Sequence, residues 1–294
     1  MGQWGNEAME FSKWENDWML RLLLPEWQGY GLSSEVAEGA RVLARAWWGD
    51  DGGAAIDVPD AEALRVEDRV LGLESIAPRT EDALQALRDL APSRLQMIGG
   101  TCGAEVAPVA HLNHRYDGNL AVVWLDGHAD LNTPASSPSG HFHGMVLRTL
   151  LGDGPAALTA QVPVPLRPEQ VFLIGPRDMD APERDYIDTH PVTWMRDEAF
   201  GDPQRVIDAI AARGFTHVYV HFDVDVVNPA DFGNALMRAD GGPLLAEVAD
   251  VLSALHRHTD VVGFSVLEYC DRTERDRDRL LTVLRAATVE GCCG

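Results

Sequence analysis

The sequence predicts an α/β fold of three layers, with helices on both faces of a mainly parallel sheet. Three observations lead there. Strand-like apolar runs alternate with stretches of helical periodicity along most of the chain, and repeated β-then-α units build parallel sheets through short crossovers. Two of the runs, Leu120–Leu125 and Thr216–Val220, end on acidic clusters, Asp126-Gly-His-Ala-Asp130 and His221-Phe-Asp-Val-Asp225. Open α/β sheets place their ligand sites at such strand ends. The 294 residues can bury a large core, and no linker divides them.

Residues 1–15 read as a leader, and residues 16–291 as one domain. Met19–Leu24 is the first apolar run. Ser33-Ser34-Glu35 signals a helix start, and Val36, Ala40, Leu43 and Trp47 follow at helical spacing. Residues 51–75, rich in Gly, Asp and Ala, give no readable pattern. Thr80 is taken as the cap of a helix with Leu84, Leu87 and Leu90 as its apolar stripe, stopping before Pro92. The strand 95–98 runs into Gly99-Gly100. Further strands are expected at 120–125, 169–175, 192–195, 216–222 and 260–267, with helices at about 103–115, 143–152, 182–189, 203–213, 243–257 and 274–289 between them. Residues 131–141 form a turn-rich loop. Trp4, Trp14, Trp18 and Trp27 are spaced irregularly, which fits packing better than an aromatic binding strip.

Charge narrows the function. With 24 basic and 46 acidic residues the net charge is −22, which repels nucleic acid and anionic membrane. There is no apolar run near the ~20 residues that span a bilayer, and the polar, acidic start is unlike a secretory signal. The expected location is the cytoplasm. Four cysteines, Cys102, Cys270, Cys292 and Cys293, are too few and too uneven for a disulfide framework. Cys292-Cys293 reads as a frayed tail.

Alternate residues of a strand face one way, so Asp126, His128 and Asp130 are expected on one side, and so are Asp223 and Asp225. Four carboxylates gathered there would repel one another without cations. Their charge predicts metal, and their number predicts two ions.

Five blocks then resemble the ureohydrolase family, the arginases, agmatinases and formimidoylglutamases: Ile98-Gly-Gly-Thr-Cys102, Asp126-Gly-His-Ala-Asp130, Ser139-Gly-His-Phe-His-Gly144, Gly175-Pro-Arg-Asp-Met-Asp180 and His221-Phe-Asp-Val-Asp225. The resemblance implies an arginase/deacetylase-like fold and two divalent ions, taken as Mn²⁺. It makes Asp126 and Asp223 bridging ligands, puts Asp130 on one ion, and puts His128 and Asp225 on the other. Cys102 stands where the family usually has histidine, and three readings stay open. It is a metal ligand, or it marks a site with one firm metal, or it is a buried apolar cysteine. A thiolate is softer than imidazole and shifts preference toward Zn²⁺ or Fe²⁺. Thr101-Cys102 and Gly127 are similar to the N-omega-hydroxy-L-arginine hydrolases of antibiotic biosynthesis.

The same resemblance implies proton delivery by His143, substrate contacts by Asn132, Ser139, His141 and Asp180, and guanidinium binding by Glu268. Each has an ordinary alternative as a turn or strand-end residue, and Asp180 could instead pair with Arg177 or Arg184. The implied reaction is hydrolysis of the guanidino C–N bond of arginine or hydroxyarginine to urea or hydroxyurea plus ornithine. Asp130, His143 and Glu268 are its expected catalytic residues. The alternatives are an agmatinase or guanidino-acid hydrolase, a silent binding scaffold and, more remotely, a deacetylase. A homo-oligomer, trimer or hexamer, is implied by the resemblance alone.

Overall fold

The computed structural model describes residues 19–49 and 53–289. The leader 1–15, Trp4, Trp14, Trp18 and the Cys292-Cys293 pair lie outside the described residues. Ten strands are present among those residues: β1 Met19–Leu24, β2 Ala54–Ala55, β3 Val66–Glu67, β4 Val70–Leu71, β5 Arg94–Gly99, β6 Leu120–Leu125, β7 Val171–Ile174, β8 Thr193–Met195, β9 His217–Asp223 and β10 Asp260–Leu267. Eight form one sheet in the order β2-β1-β5-β10-β9-β6-β7-β8. Its pairings are all parallel, while β3 and β4 form a separate antiparallel pair.

Covering both faces explains the sequence of the central strands. All six residues of β6 are buried, as expected where helices lie above and below. Leu120, Val122 and Trp124 join one apolar core. Ala121, Val123 and Leu125 join the other. Helices Leu73–Leu90 and Val106–Arg115 pack into the first core. Glu35–Trp48, Gln204–Arg213, Leu245–His258 and Glu274–Val289 pack into the second. The three-layer α/β expectation therefore holds.

The stretch 53–80 departs most from the sequence reading. The second long helix begins at Leu73, with Gly72 as its left-handed N-cap, rather than at Thr80. Thr80 is buried and its hydroxyl donates to the Ile76 carbonyl, 3.0 Å away. Pro78 lies within the helix; a proline there forfeits one helical hydrogen bond. Ahead of the helix, β3 and β4 meet in a tight turn at Asp68 and Arg69, with φ of 48° and 66°. Positive φ at both central residues is the twist-matched hairpin geometry, but without Asn-Gly or Asp-Gly the sequence hides it. The hairpin braces the turn-rich loop, since Leu71 N donates to Gly140 O at 2.9 Å.

Candidate functional site

β5, β10, β9 and β6 are neighbours in the sheet, and the segments carrying Cys102, Glu268, Asp223 and Asp126 continue from their C-terminal ends. Backbone bonds tie these ends together: Gly100 N donates to Leu24 O at 3.0 Å and Glu268 N to Gly100 O at 2.8 Å. Gly100 is needed for that approach, because a Cβ there would lie 1.9 Å from Glu26 O. Cys102 then opens a 3-10 turn, Cys102–Glu105, with Gly103 N donating to the Thr101 hydroxyl.

The acids do not converge by strand alternation, which corrects the pleat argument. β6 stops at Leu125, and Asp126 to Asp130 are irregular, with Asp130 at φ 53°. Asp223 ends β9, and Asp225 sits in the turn Val224–Val226, where its N–H donates to Asp223 Oδ1 at 2.7 Å. Turns aim the carboxylates, and the strands supply their starting points. Gly127 N donates to Asp225 Oδ1 at 3.0 Å. The approach is close enough that a Cβ on Gly127 would meet that oxygen at 2.9 Å and the Ala239 Cβ at 2.8 Å.

Two donor groups result. In the deeper one Cys102, Asp126, His221 and Asp223, all buried, offer donor atoms within 4.8 Å of one another. Cys102 Sγ donates to Asp223 Oδ2 at 3.3 Å and lies 3.7 Å from His221 Nε2. The outer group is Asp126, His128 and Asp225. His128 Nδ1 lies 3.0 Å from Asp225 Oδ2 and 3.5 Å from Asp126 Oδ1, and its side chain is 26% exposed. Asp130 is buried beside these groups but belongs to neither.

The electrostatics favour a bound cation. Burial, then neighbouring acids, push Asp130 and Asp223 well above the ordinary carboxylate range. Burial and Asp126 raise Asp225 against the opposing pull of His128. Burial, Asp130 and Asp223 push the Cys102 thiol up. Asp126 goes the other way, because hydrogen bonding to His128 and His221 outweighs its burial. So many acids cannot all ionise in low dielectric without positive charge. Among the described residues, the buried oxygens Asp130 Oδ2 and Glu268 Oε2 lack hydrogen-bond partners. Oxygen donors with imidazole and one thiolate fit divalent transition metals, so the residues fit the two ions that the resemblance implies.

Beside the donors lies a polar rim. Glu268, at φ 59° and buried, accepts from Cys102 N at 2.8 Å through Oε1. The same oxygen lies 3.3 Å from His143 Nδ1, on a side chain 17% exposed. A left-handed, non-glycine residue at a strand end is strain of the kind that collects at functional sites. Tyr30 meets the edges of both His141 and His143, its ring centre 5.5 and 5.6 Å from theirs. Asn132 Nδ2 donates to Asp180 Oδ2 at 2.9 Å, so those two expected contacts come together. Arg177 instead donates to the carbonyls of Asp225, Ala239 and Asp240. Ser139 is exposed, and its hydroxyl accepts from His141 N at 3.2 Å in a local turn.

Several residues in and around the site escaped sequence reading. His221 lies in the last of the five blocks, two residues before Asp223 on the same strand face, and that spacing is its only sequence signal. Glu105 and Trp124, which contact His221, lie in the expected helix 103–115 and the apolar run 120–125 and carry no further signal in the sequence. Glu26 and Glu183 are buried braces whose carboxyls burial raises to about 7. Glu26 accepts from the Thr101 hydroxyl and from Gly29 N, and Glu183 from Leu131 N and Asp180 N. A surface hollow of about 410 Å³ lined by Trp194, Met195, Glu198, Arg205 and Asp208 shares no residue with the donor groups.

Comparison with known proteins points to one family. The arginase family profile matches residues 38–289. An arginase of Staphylococcus aureus (strain MRSA252) is 33% identical over 178 residues, covering 58% of this chain and 59% of that protein. The matched stretch thus spans less than two thirds of that relative. Among solved structures, the arginase of Entamoeba histolytica in complex with L-ornithine superposes with a TM-score of 0.82 at 21% identity, covering 92% of this chain and 98% of the other. Formimidoylglutamase from Bacillus subtilis gives 0.69 at 14% identity, covering 93% and 88%. At these identities the structural likeness speaks to the fold.

Proposed function

Since the chain belongs to the arginase family, we propose that it hydrolyses the guanidino C–N bond of an α-amino acid, arginine or N-omega-hydroxy-arginine, giving urea or hydroxyurea plus ornithine. The observation that carries the reading is the sharing of Asp126 by two donor groups beside a buried, unpartnered carboxylate oxygen of Glu268. Two bound divalent ions, Mn²⁺ in at least the outer group, would supply an acidified water and neutralise developing charge.

The chain's own residues do the rest. Glu268 Oε2 receives the guanidinium N–H, a planar donor suited to a carboxylate. Asp130 Oδ2, also lacking a partner, accepts a proton from the attacking water. His143, 3.3 Å from Glu268 through Nδ1, returns a proton to the departing amine. The Asn132–Asp180 pair holds the α-amino end, and Ser139 and His141 receive the carboxylate. Tyr30, edge-on to both histidines, shields that edge from water. Residues 16–291 act as one cytoplasmic domain that assembles into a homo-oligomer, trimer or hexamer. No helix among the described residues is long and apolar enough to cross a membrane.

A release assay over arginine, hydroxyarginine, agmatine and guanidinobutyrate tests the reading. An α-amino acid substrate should be cleaved at least tenfold more efficiently than agmatine, about 1.4 kcal/mol in transition-state stabilisation. Equal or faster agmatine turnover would make the enzyme an agmatinase, and no turnover of any would leave a silent scaffold.

A further inference from the structure

The deep donor group has an outer support that the proposed reaction does not use. Strand register sets Ser265 of β10, His221 of β9 and Trp124 of β6 side by side. Trp124 stacks on His221 with ring centres 3.5 Å apart and planes 7° apart. Its indole N–H also donates to Asp126 Oδ2 at 3.1 Å, so one buried side chain orients two donors. On the other side of the imidazole, Glu105 Oε1 lies 2.9 Å from His221 Nδ1. Glu105 is itself pinned by the Tyr219 hydroxyl at 2.6 Å and by the Ser265 hydroxyl.

A carboxylate can only accept, so the ring proton between Glu105 and His221 belongs to Nδ1. That leaves Nε2 facing Cys102 Sγ and Asp126 Oδ2, each 3.7 Å away. With Asp223 Oδ2 3.3 Å from the sulfur, these spacings suit one small cation. Bonds of about 2.0–2.3 Å at tetrahedral angles hold their donors about 3.3–3.7 Å apart. A ligating histidine characteristically gives its other N–H to a carboxylate, which fixes the ring.

We propose that His221 is a metal ligand, anchored by Glu105 and Trp124, and that Cys102, His221, Asp126 and Asp223 make the deep site a four-donor site for Zn²⁺ or Co²⁺ in preference to Mn²⁺. Manganese favours six oxygen-rich ligands, whereas one sulfur, one nitrogen and two oxygens in a closed set suit a borderline-soft, four-coordinate ion. The inference rests on the metal-dependent reading above, but it concerns binding. The competing role is an imidazolium that only balances Asp126 and Glu105.

The test is Co²⁺, Zn²⁺ and Mn²⁺ titration of the full chain, stripped of metal, read by absorption and equilibrium competition. The wild-type protein should show thiolate-to-cobalt charge transfer with strong four-coordinate visible bands, and should favour Zn²⁺ over Mn²⁺ by at least 100-fold at one of its two sites. His221→Asn should lower Zn²⁺ affinity at that site at least 100-fold and weaken the visible bands, while Mn²⁺ affinity at the Asp126, His128, Asp225 site changes only a few-fold. Removing a buried imidazole can prevent folding, so Glu105→Gln is the second variant, with an expected loss of about 10–100-fold and an unchanged circular dichroism spectrum. Unchanged deep-site affinity in either folded variant, or a wild-type deep site that prefers Mn²⁺, overturns the proposal. Absent turnover with the cobalt spectrum intact would sink only the proposed function. Turnover alongside a manganese-preferring deep site would sink only this inference.

Discussion

The deep and outer donor groups share Asp126 and differ in their surroundings. The deep group is closed on every side, with one sulfur, one nitrogen and carboxylate oxygens, and its imidazole is clamped between an indole and a carboxylate. The outer group has a partly exposed histidine and borders the loop that carries the expected substrate contacts. Closure holds an ion, and openness lets substrate and water reach one. On the proposed reading, retention and chemistry would be divided between the two groups.

Breaking what the halves share should have the largest effect. Asp126→Ala should remove both ions and lower kcat/KM by at least ~10³-fold, about 4 kcal/mol, checked by metal analysis and the release assay. A variant that retained one ion would show that Asp126 is not common to both. Next comes removal of one half: Asp225→Ala should leave one ion per chain, held with sulfur contact, and lower activity about 100-fold, a loss of about 2.7 kcal/mol. Loss of both ions there would mean that the deep group cannot stand alone.

Smaller perturbations sharpen the contrast. In Gly127→Ala the new methyl must displace Asp225 or Ala239, given the 2.9 and 2.8 Å approaches. Outer-site Mn²⁺ affinity should fall about tenfold, about 1.4 kcal/mol, with the deep site unchanged in the same titration. Glu26 braces the Thr101 turn on the deep side, and burial raises its carboxyl from 4.5 to about 7. The folded metal-free protein therefore binds this proton more tightly than the unfolded chain. Its contribution is fully present below pH 4.5 and is lost as pH rises through 7, a change on the order of 3 kcal/mol. Glu26→Gln should flatten the stability profile over that window in urea unfolding, and an unaltered slope would discharge Glu26 from this role.

The two halves also differ in how legible they were. The outer group follows from Asp126, His128 and Asp225, whose types and spacing within two acidic blocks point to metal without any structure. The deep group was only half visible, because His221 acquires meaning when β9 pairs with β6 and β10 and places it against Trp124 and Ser265. Its one available signal was the two-residue spacing to Asp223. The fold class was readable because doubly covered strands such as Leu120–Leu125 are apolar throughout. The hairpin at Asp68-Arg69 and the helix start at Leu73 were not, since the turn lacks its usual glycine and the helix contains Pro78. Backbone torsion at Asp130 and Glu268, which aims both acids, has no sequence signature.

The most direct test is a crystal structure of the metal-loaded protein with anomalous data collected across the manganese and zinc absorption edges. Two sites of different metal identity should appear, both in contact with Asp126, the deeper one touching Cys102 Sγ, His221 Nε2 and Asp223, the outer one touching His128 and Asp225. A single ion, or two ions with neither Cys102 nor His221 in contact, would contradict the account.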